Sequence, residues 1–226
     1  MFETLKNDAC QACQTLLNHQ LVLLNVGSFS LLDRSSQTLA IRPAHHGFPE
    51  LQPDQIALTG LDGLPRDGSP APAPSVLTHL RLYEAFPEIN AIAHTHSKYA
   101  TIFAQAGKSI KCLGATHAHF FYGDIPITRS MSRQQAENYA SELGNLIVER
   151  YRDQKPLETP GILIHGHGAY TWGRTVAEAL QNALALEWTA ELAFRTLQLN
   201  PDIFPIGLHL LDKHFQQAQS LIERED

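Results

Sequence analysis

The sequence predicts an α/β or α+β chain with a layered sheet at its centre. Three observations carry that reading. A polar turn, Arg34–Gln37, has a strand-like run on each side. Two short apolar runs, Asn90–His96 and Ile162–His165, each lead into histidines. Long segments, above all Arg133–Tyr151 and Thr175–Leu199, read as helices.

Taken in order, Phe2, Leu5, Ala9, Cys13 and Leu16 recur at helical spacing, so 2–18 is expected to be an amphipathic helix. Asn25–Ser28 is a turn. Phe29–Asp33 and Thr38–Arg42 form the expected strand pair, and Gln55–Thr59 a further short strand. Gly60–Pro74, rich in Gly, Pro and Asp, is a surface loop. Ser75–Phe86 is a helix stopped before Pro87. Asn90–His96 is a strand that leads into a helix over Lys98–Ala106. Arg133–Tyr151 is a long helix capped by Ser132. Ile162–His165 is a short buried strand, and Thr175–Leu199 and Leu208–Glu223 are helices. There is no internal repeat.

With 226 residues and 43% hydrophobic content the chain can bury one sizeable core, so a single domain over 1–226 is expected. A net charge of -6 lacks the basic footprint of a nucleic-acid binder. No apolar stretch approaches the roughly 20 residues needed to cross a bilayer. The segment MFETLKNDAC has no apolar signal-peptide core. These features point to a soluble cytoplasmic protein. Three cysteines, an odd number, argue against a disulfide framework. Cys10 and Cys13 form a CxxC, but no second Cys or His pair follows at zinc-finger spacing, so they read as reduced cysteines on a helix face.

The twelve histidines are more informative, because several fall into tight clusters. His94 and His96 stand two apart at the end of a predicted strand, where side chains share a face. They are placed to reach one metal ion. Ile164–Gly168, with His165 and His167 in a glycine-bounded turn, offers candidates for a third ligand. Three neutral imidazoles with one open position make a catalytic zinc geometry, a Lewis acid for a carbonyl or a source of hydroxide.

Several ordered stretches together resemble the class II aldolase/adducin family over about residues 2 to 215. They are Tyr83–Pro87, His94–Ile102, Ala104–Gly107, Ala115–Ala118 followed by Phe121–Gly123, Pro160–Gly161, His165–Gly168, Trp172–Gly173 and Leu211–His214. Within that family they look most like the L-ribulose-5-phosphate 4-epimerases. The resemblance implies a layered α/β/α fold, a mainly antiparallel central sheet flanked by helices. It implies a metal, usually zinc with other divalent transition ions as alternatives, on His94, His96 and His167. It implies a carbohydrate-like small-molecule substrate, retro-aldol chemistry through an enediolate, and a homotetramer with active sites at subunit interfaces.

By the same resemblance Gly27, Ser28, Arg42 and His45 are substrate-contact candidates, on loops that cradle phosphate in the family. The family's Gly-Asn-Val-Ser loop is here Gly27-Ser28-Phe29-Ser30, its Pro-Ser-Gly loop is Pro43-Ala44-His45, and its paired serines are Ala73-Pro74. Pro74 has no N–H to offer, and Ala44 and Ala73 have no hydroxyls. Ser75 stands where the family has an acidic residue beside the metal. His119 stands where the epimerases have their acid/base aspartate, and these two are the catalytic candidates. The epimerases' C-terminal tyrosine has no counterpart in Ser220–Asp226. His117 and His165 are expected to be structural, and His214 a helix residue near the site mouth. Three functions are compatible with this pattern: a metal-dependent aldolase or epimerase, a divergent relative that decarboxylates or cleaves an unphosphorylated hydroxy acid, and a non-catalytic adducin-like scaffold.

Overall fold

A computed structural model describes residues 2–66 and 68–222 of the chain. Its elements run α1 (Glu3–Asn18), β1 (Ser28–Asp33), β2 (Thr38–Ile41), β3 (Ala57–Thr59), α2 (Val76–Ala85), β4 (Ala91–Thr95), α3 (Lys98–Gln105) and α4 (Ala115–Phe120). They continue with α5 (Tyr139–Arg150), β5 (Gly161–Leu163), β6 (Ala169–Gly173), α6 (Val176–Leu199) and α7 (Leu208–Ile222). The strands form one sheet in the order β3-β2-β1-β4-β6-β5. Every pairing is antiparallel.

Strand alternation gives the sheet two apolar faces. Ile92, Ile162, Tyr170 and Trp172 pack against α2 and α5, through Leu82, Tyr83, Leu143 and Ile147. Phe29, Ala91 and Ala93 pack on the other side against α1 and α6, through Ala9, Leu16, Ala179 and Ala183. Helices therefore cover both faces, and the layered α/β/α expectation is met. Trp172 is fully buried, and its indole N–H donates to the Pro156 carbonyl at 2.9 Å, so the ring leaves no orphaned donor in the core. Cys10 and Cys13 are buried free thiols on α1, and burial pushes Cys13 up to about 12, which keeps it a protonated, inert side chain.

Three differences from the sequence expectation concern the site. The strand β6 and the short helix α4 were not anticipated. The helix expected over Arg133–Tyr151 is instead a tight turn at Gln135–Asn138 followed by α5. Ser132 does cap, but it caps the turn: the Gln135 N–H donates to Ser132 Oγ at 3.3 Å and the Ser132 N–H to Gln135 Oε1 at 3.2 Å. Asn138, at φ -119 and ψ 49, breaks the helical path, and α5 restarts at Tyr139. The last helix follows the expectation up to Ile222; its expected end, Glu223, lies outside the described residues.

Candidate metal centre

His94 lies in β4, where all five residues are buried, and the ring is 5% exposed. Its Nδ1 is 3.0 Å from the Ala169 carbonyl oxygen of β6. A carbonyl only accepts, so Nδ1 carries the proton and Nε2 is bare. His96 follows β4, and its backbone N–H donates to Leu21 O at 3.0 Å. His167 sits in the turn between β5 and β6, tied by its N–H to Ile164 O at 2.9 Å. The Nε2 atoms of His96 and His167 lie 3.2 and 3.1 Å from His94 Nε2.

This donor set fits a metal. Nitrogens at 2.0–2.1 Å around a tetrahedral zinc stand about 3.3 Å apart, close to the spacing seen. One bare nitrogen facing two others is poorly satisfied by protons alone, whereas a dication takes all three lone pairs. Burial, then the neighbouring His167 and His96, hold His94 well below the ordinary histidine range. Burial and then His167 bring His96 down to about 4, and burial lowers His167. All three are neutral at pH 7, the form that ligates.

The surrounding residues fix this geometry. Tyr139 Oη is 2.8 Å from His167 Nδ1. If that nitrogen carries its proton, the phenol oxygen accepts it and Nε2 is left for the metal. Tyr170 stacks on His94 with ring centroids 4.2 Å apart and planes within 10°. Gly168 admits no side chain, because a Cβ there would run into the Thr95 carbonyl. Gly27 has φ +112, and a Cβ would come within 2.8 Å of the His94 carbonyl oxygen.

The other sequence candidates fall in different places. Gly27 backs directly onto His94, as just described. Ser28 is fully buried, and its hydroxyl is held by His79 Nε2 at 2.9 Å and by Ser75 at 2.9 Å. Arg42 is 4% exposed and donates to the carbonyls of Gly27, His46 and Asn25 at 3.0, 2.8 and 3.1 Å. Its guanidinium also lies 5.2 Å over the Phe48 ring. Both side chains, expected at the substrate, are thus engaged within the protein. Ser28 is buried in β1, and Arg42 uses three of its five N–H donors to clamp the two loops together. His45 is exposed on its loop. Ser75 precedes α2 without capping it by its side chain, which turns instead to Ser28.

His119 lines a cleft of about 210 Å³ with Phe120, Leu157, Arg174, Glu178 and Asn182, among others, and none of the three clustered histidines is in its lining. His214 borders a neighbouring cleft beside His119, not the histidine cluster. His117 donates from Nε2 to the Gly123 carbonyl at 2.9 Å, the structural role expected of it, and burial brings it down to about 4. His165 is exposed beyond β5 and its backbone N–H donates to Thr128 Oγ1 at 3.1 Å.

Sequence reasoning missed Tyr139, Tyr170 and His79. Only His79 left a readable signal: Ser75, His79 and Tyr83 are spaced four apart, one polar stripe along α2. Tyr139 was hidden inside a segment that read as one unbroken helix.

The model of the class II aldolase and adducin N-terminal domain matches residues 7–194. The chain belongs to this family. The class II aldolase domain is 35% identical over 216 residues to the L-ribulose-5-phosphate 4-epimerase UlaF of Salmonella paratyphi C, covering 95% of each chain. Its fold is that of solved L-fuculose 1-phosphate aldolases. One matches with a TM-score of 0.78 at 19% identity over 96% of both chains. Another, from Glaciozyma antarctica PI12, has a TM-score of 0.78 at 18% identity, over 95% of this chain and 81% of the other.

Proposed function

We propose that this class II aldolase domain is a metal-dependent lyase or isomerase that breaks, and in an epimerase remakes, a carbon–carbon bond of a sugar or sugar phosphate. The observation that carries it is the convergence of three neutral imidazoles, His94, His96 and His167, on one point with their outer nitrogens held in place. The 35% identity to a relative named L-ribulose-5-phosphate 4-epimerase supports the reading. A divalent cation, zinc by the tetrahedral nitrogen set, would supply fixed positive charge where negative charge develops in retro-aldol chemistry. A scaffold would have no use for this convergence.

The protein's own groups set the rest. The Ala169 carbonyl fixes the His94 tautomer, Tyr139 holds the His167 ring through Nδ1, and Tyr170 holds the His94 ring plane. His119 is the proposed proton carrier, since an imidazole can both take and give a proton. Because its cleft contains none of the clustered histidines, it would serve the centre of a neighbouring subunit in a homotetramer. The domain is proposed to be a single unit that works in the cytoplasm; among the described residues no helix is long and apolar enough to cross a membrane. A second reading, an unphosphorylated hydroxy acid whose carboxylate would lie on the cation, is favoured by the inward commitment of Ser28, which has no hydroxyl proton for a phosphate.

The deciding experiment is elemental analysis of protein purified without added metal or chelator, followed by assay with L-ribulose 5-phosphate and with unphosphorylated hydroxy acids. About one equivalent of zinc per chain is expected. No metal, and no uptake on titration, overturns the enzyme reading. Light scattering that gives a monomer removes the tetramer and with it the role of His119.

A further inference from the structure

A buried chain of hydrogen bonds runs inward from Ser75. Ser75 Oγ is 2.9 Å from Ser28 Oγ, which is 2.9 Å from His79 Nε2. On the far side of the ring, His79 Nδ1 is 2.7 Å from Ser30 Oγ, and Ser30 Oγ is 2.8 Å from Tyr83 Oη. The chain ends at two backbone carbonyls, Ser30 O and Asn90 O, 3.1 and 3.2 Å from Tyr83 Oη. Ser28, Ser30, His79 and Tyr83 are each at most 2% exposed, so no solvent intervenes along the run.

The direction of the bonds is assigned from the inner end, where Tyr83 Oη lies beside two carbonyl oxygens. Carbonyl oxygens only accept, so the Tyr83 hydroxyl proton is shared between them. Tyr83 Oη must then accept from the Ser30 hydroxyl, and Ser30 Oγ must accept from His79 Nδ1–H. With its proton on Nδ1, a neutral His79 accepts at Nε2, from the Ser28 hydroxyl. Ser28 Oγ in turn accepts from Ser75. Burial keeps His79 neutral, bringing it down to about 3, which supports the assignment made from the geometry.

Toward its outer end the chain passes Ser28, the cross-strand neighbour of His94. Ser28 is directly opposite His94 in the β1–β4 register, and both side chains share the sheet face of Tyr170. Ser75, half-buried and one hydrogen bond outward from Ser28, has its only proton committed to the chain. It therefore offers lone pairs alone.

We propose that Ser75 binds substrate as a hydrogen-bond acceptor only, so that it takes a neutral hydroxyl of a carbohydrate and turns away the oxyanion of a phosphate or carboxylate. This assignment rests on the reading of the histidine cluster as an active metal centre. A serine is ordinarily free to donate to an anion; here the carbonyls behind Tyr83 have removed that freedom, and rotating one hydroxyl to restore it would orphan a buried acceptor further in.

The test has two arms on the metal-loaded protein. Nitrogen NMR of the His79 ring is expected to show the proton on Nδ1 and a bare Nε2; a proton on Nε2 overturns the proposal. Calorimetry with L-ribulose and with inorganic phosphate is expected to show Ser75→Ala weakening L-ribulose roughly three- to tenfold, the loss of one neutral hydrogen bond, with phosphate unchanged. Equal loss for both probes, or no L-ribulose binding by the unsubstituted protein, overturns it. Failure of the metal reading would show separately, as missing metal with the His79 tautomer still as described.

Discussion

The histidine cluster and the loops beside it are built on the same strands but spend their polar atoms in opposite ways. In the cluster, the inner nitrogens of His94 and His167 are satisfied by Ala169 O and Tyr139, which leaves the outer nitrogens aimed at one point. In the loops, Ser28, Ser75 and Arg42 direct their donors inward, to His79, to Ser28 and to three backbone carbonyls. One region keeps lone pairs in reserve for a ligand; the other turns its hydroxyl protons, and three of the five guanidinium N–H groups, to the protein itself. Residue type alone does not make a binding group. What counts is the capacity left over after the fold has been satisfied.

The largest test of this contrast is His94→Ala or His167→Ala. Either is expected to take metal content from about one equivalent to near zero. Full retention by either variant would remove the ligand assignment. Next comes Arg42→Met, which orphans the carbonyls of Asn25, Gly27 and His46. It is expected to cost about 3–5 kcal/mol in urea unfolding. A loss below about 1 kcal/mol would mean that the guanidinium is not a clamp and is free for substrate.

Acid should weaken the structure itself. His79 and His117 are held down to about 3 and about 4 by burial, so between about pH 6.5 and 4 the unfolded chain binds protons that the folded chain does not. Stability present above pH 6.5 is then lost as pH falls, by up to about 1.4 kcal/mol per pH unit for each ring. A flat urea midpoint between pH 7 and pH 5 would refute this. In metal-free protein His94 and His96 add in the same direction.

Two smaller effects sharpen the boundary between the regions. Tyr139→Phe is expected to lower metal affinity about tenfold, measured by competition with a chelator, while the fold is kept. Unchanged affinity would separate Tyr139 from the centre. Finally, a pentulose phosphate is expected to gain little from its phosphate group over the free sugar. Micromolar affinity that depends on the phosphate would show that the loops still bind it.

Much of this arrangement was legible in the chain. The Arg34–Gln37 turn predicts the β1–β2 hairpin, and the helix expected over Thr175–Leu199 is α6, with Thr175 accepting from the Glu178 N–H as its cap. Helices α1, α2, α3 and α6 fall within a residue or two of their expected bounds. The spacing of His94 and His96 marked two imidazoles that do converge. β6 was not legible, because all five of its residues are buried and it shows no alternation to read. Nor was the restart of α5 at Tyr139, since the apolar residues Leu143, Leu146 and Ile147 keep helical spacing whether or not the first turn belongs to the helix.

By itself the sequence determined the family, the layered architecture and the three histidines that converge, because local periodicity and short ordered motifs encode each of these. Only the tertiary structure decided which candidate groups have capacity left for a ligand. That is set by partners far away in the chain: Ser28 by His79, 51 residues on, and His94 by Ala169, 75 residues on. A hydrogen bond has a direction, and the direction at Ser75 is dictated by carbonyls at the opposite end of a buried chain, information that no local stretch of sequence contains.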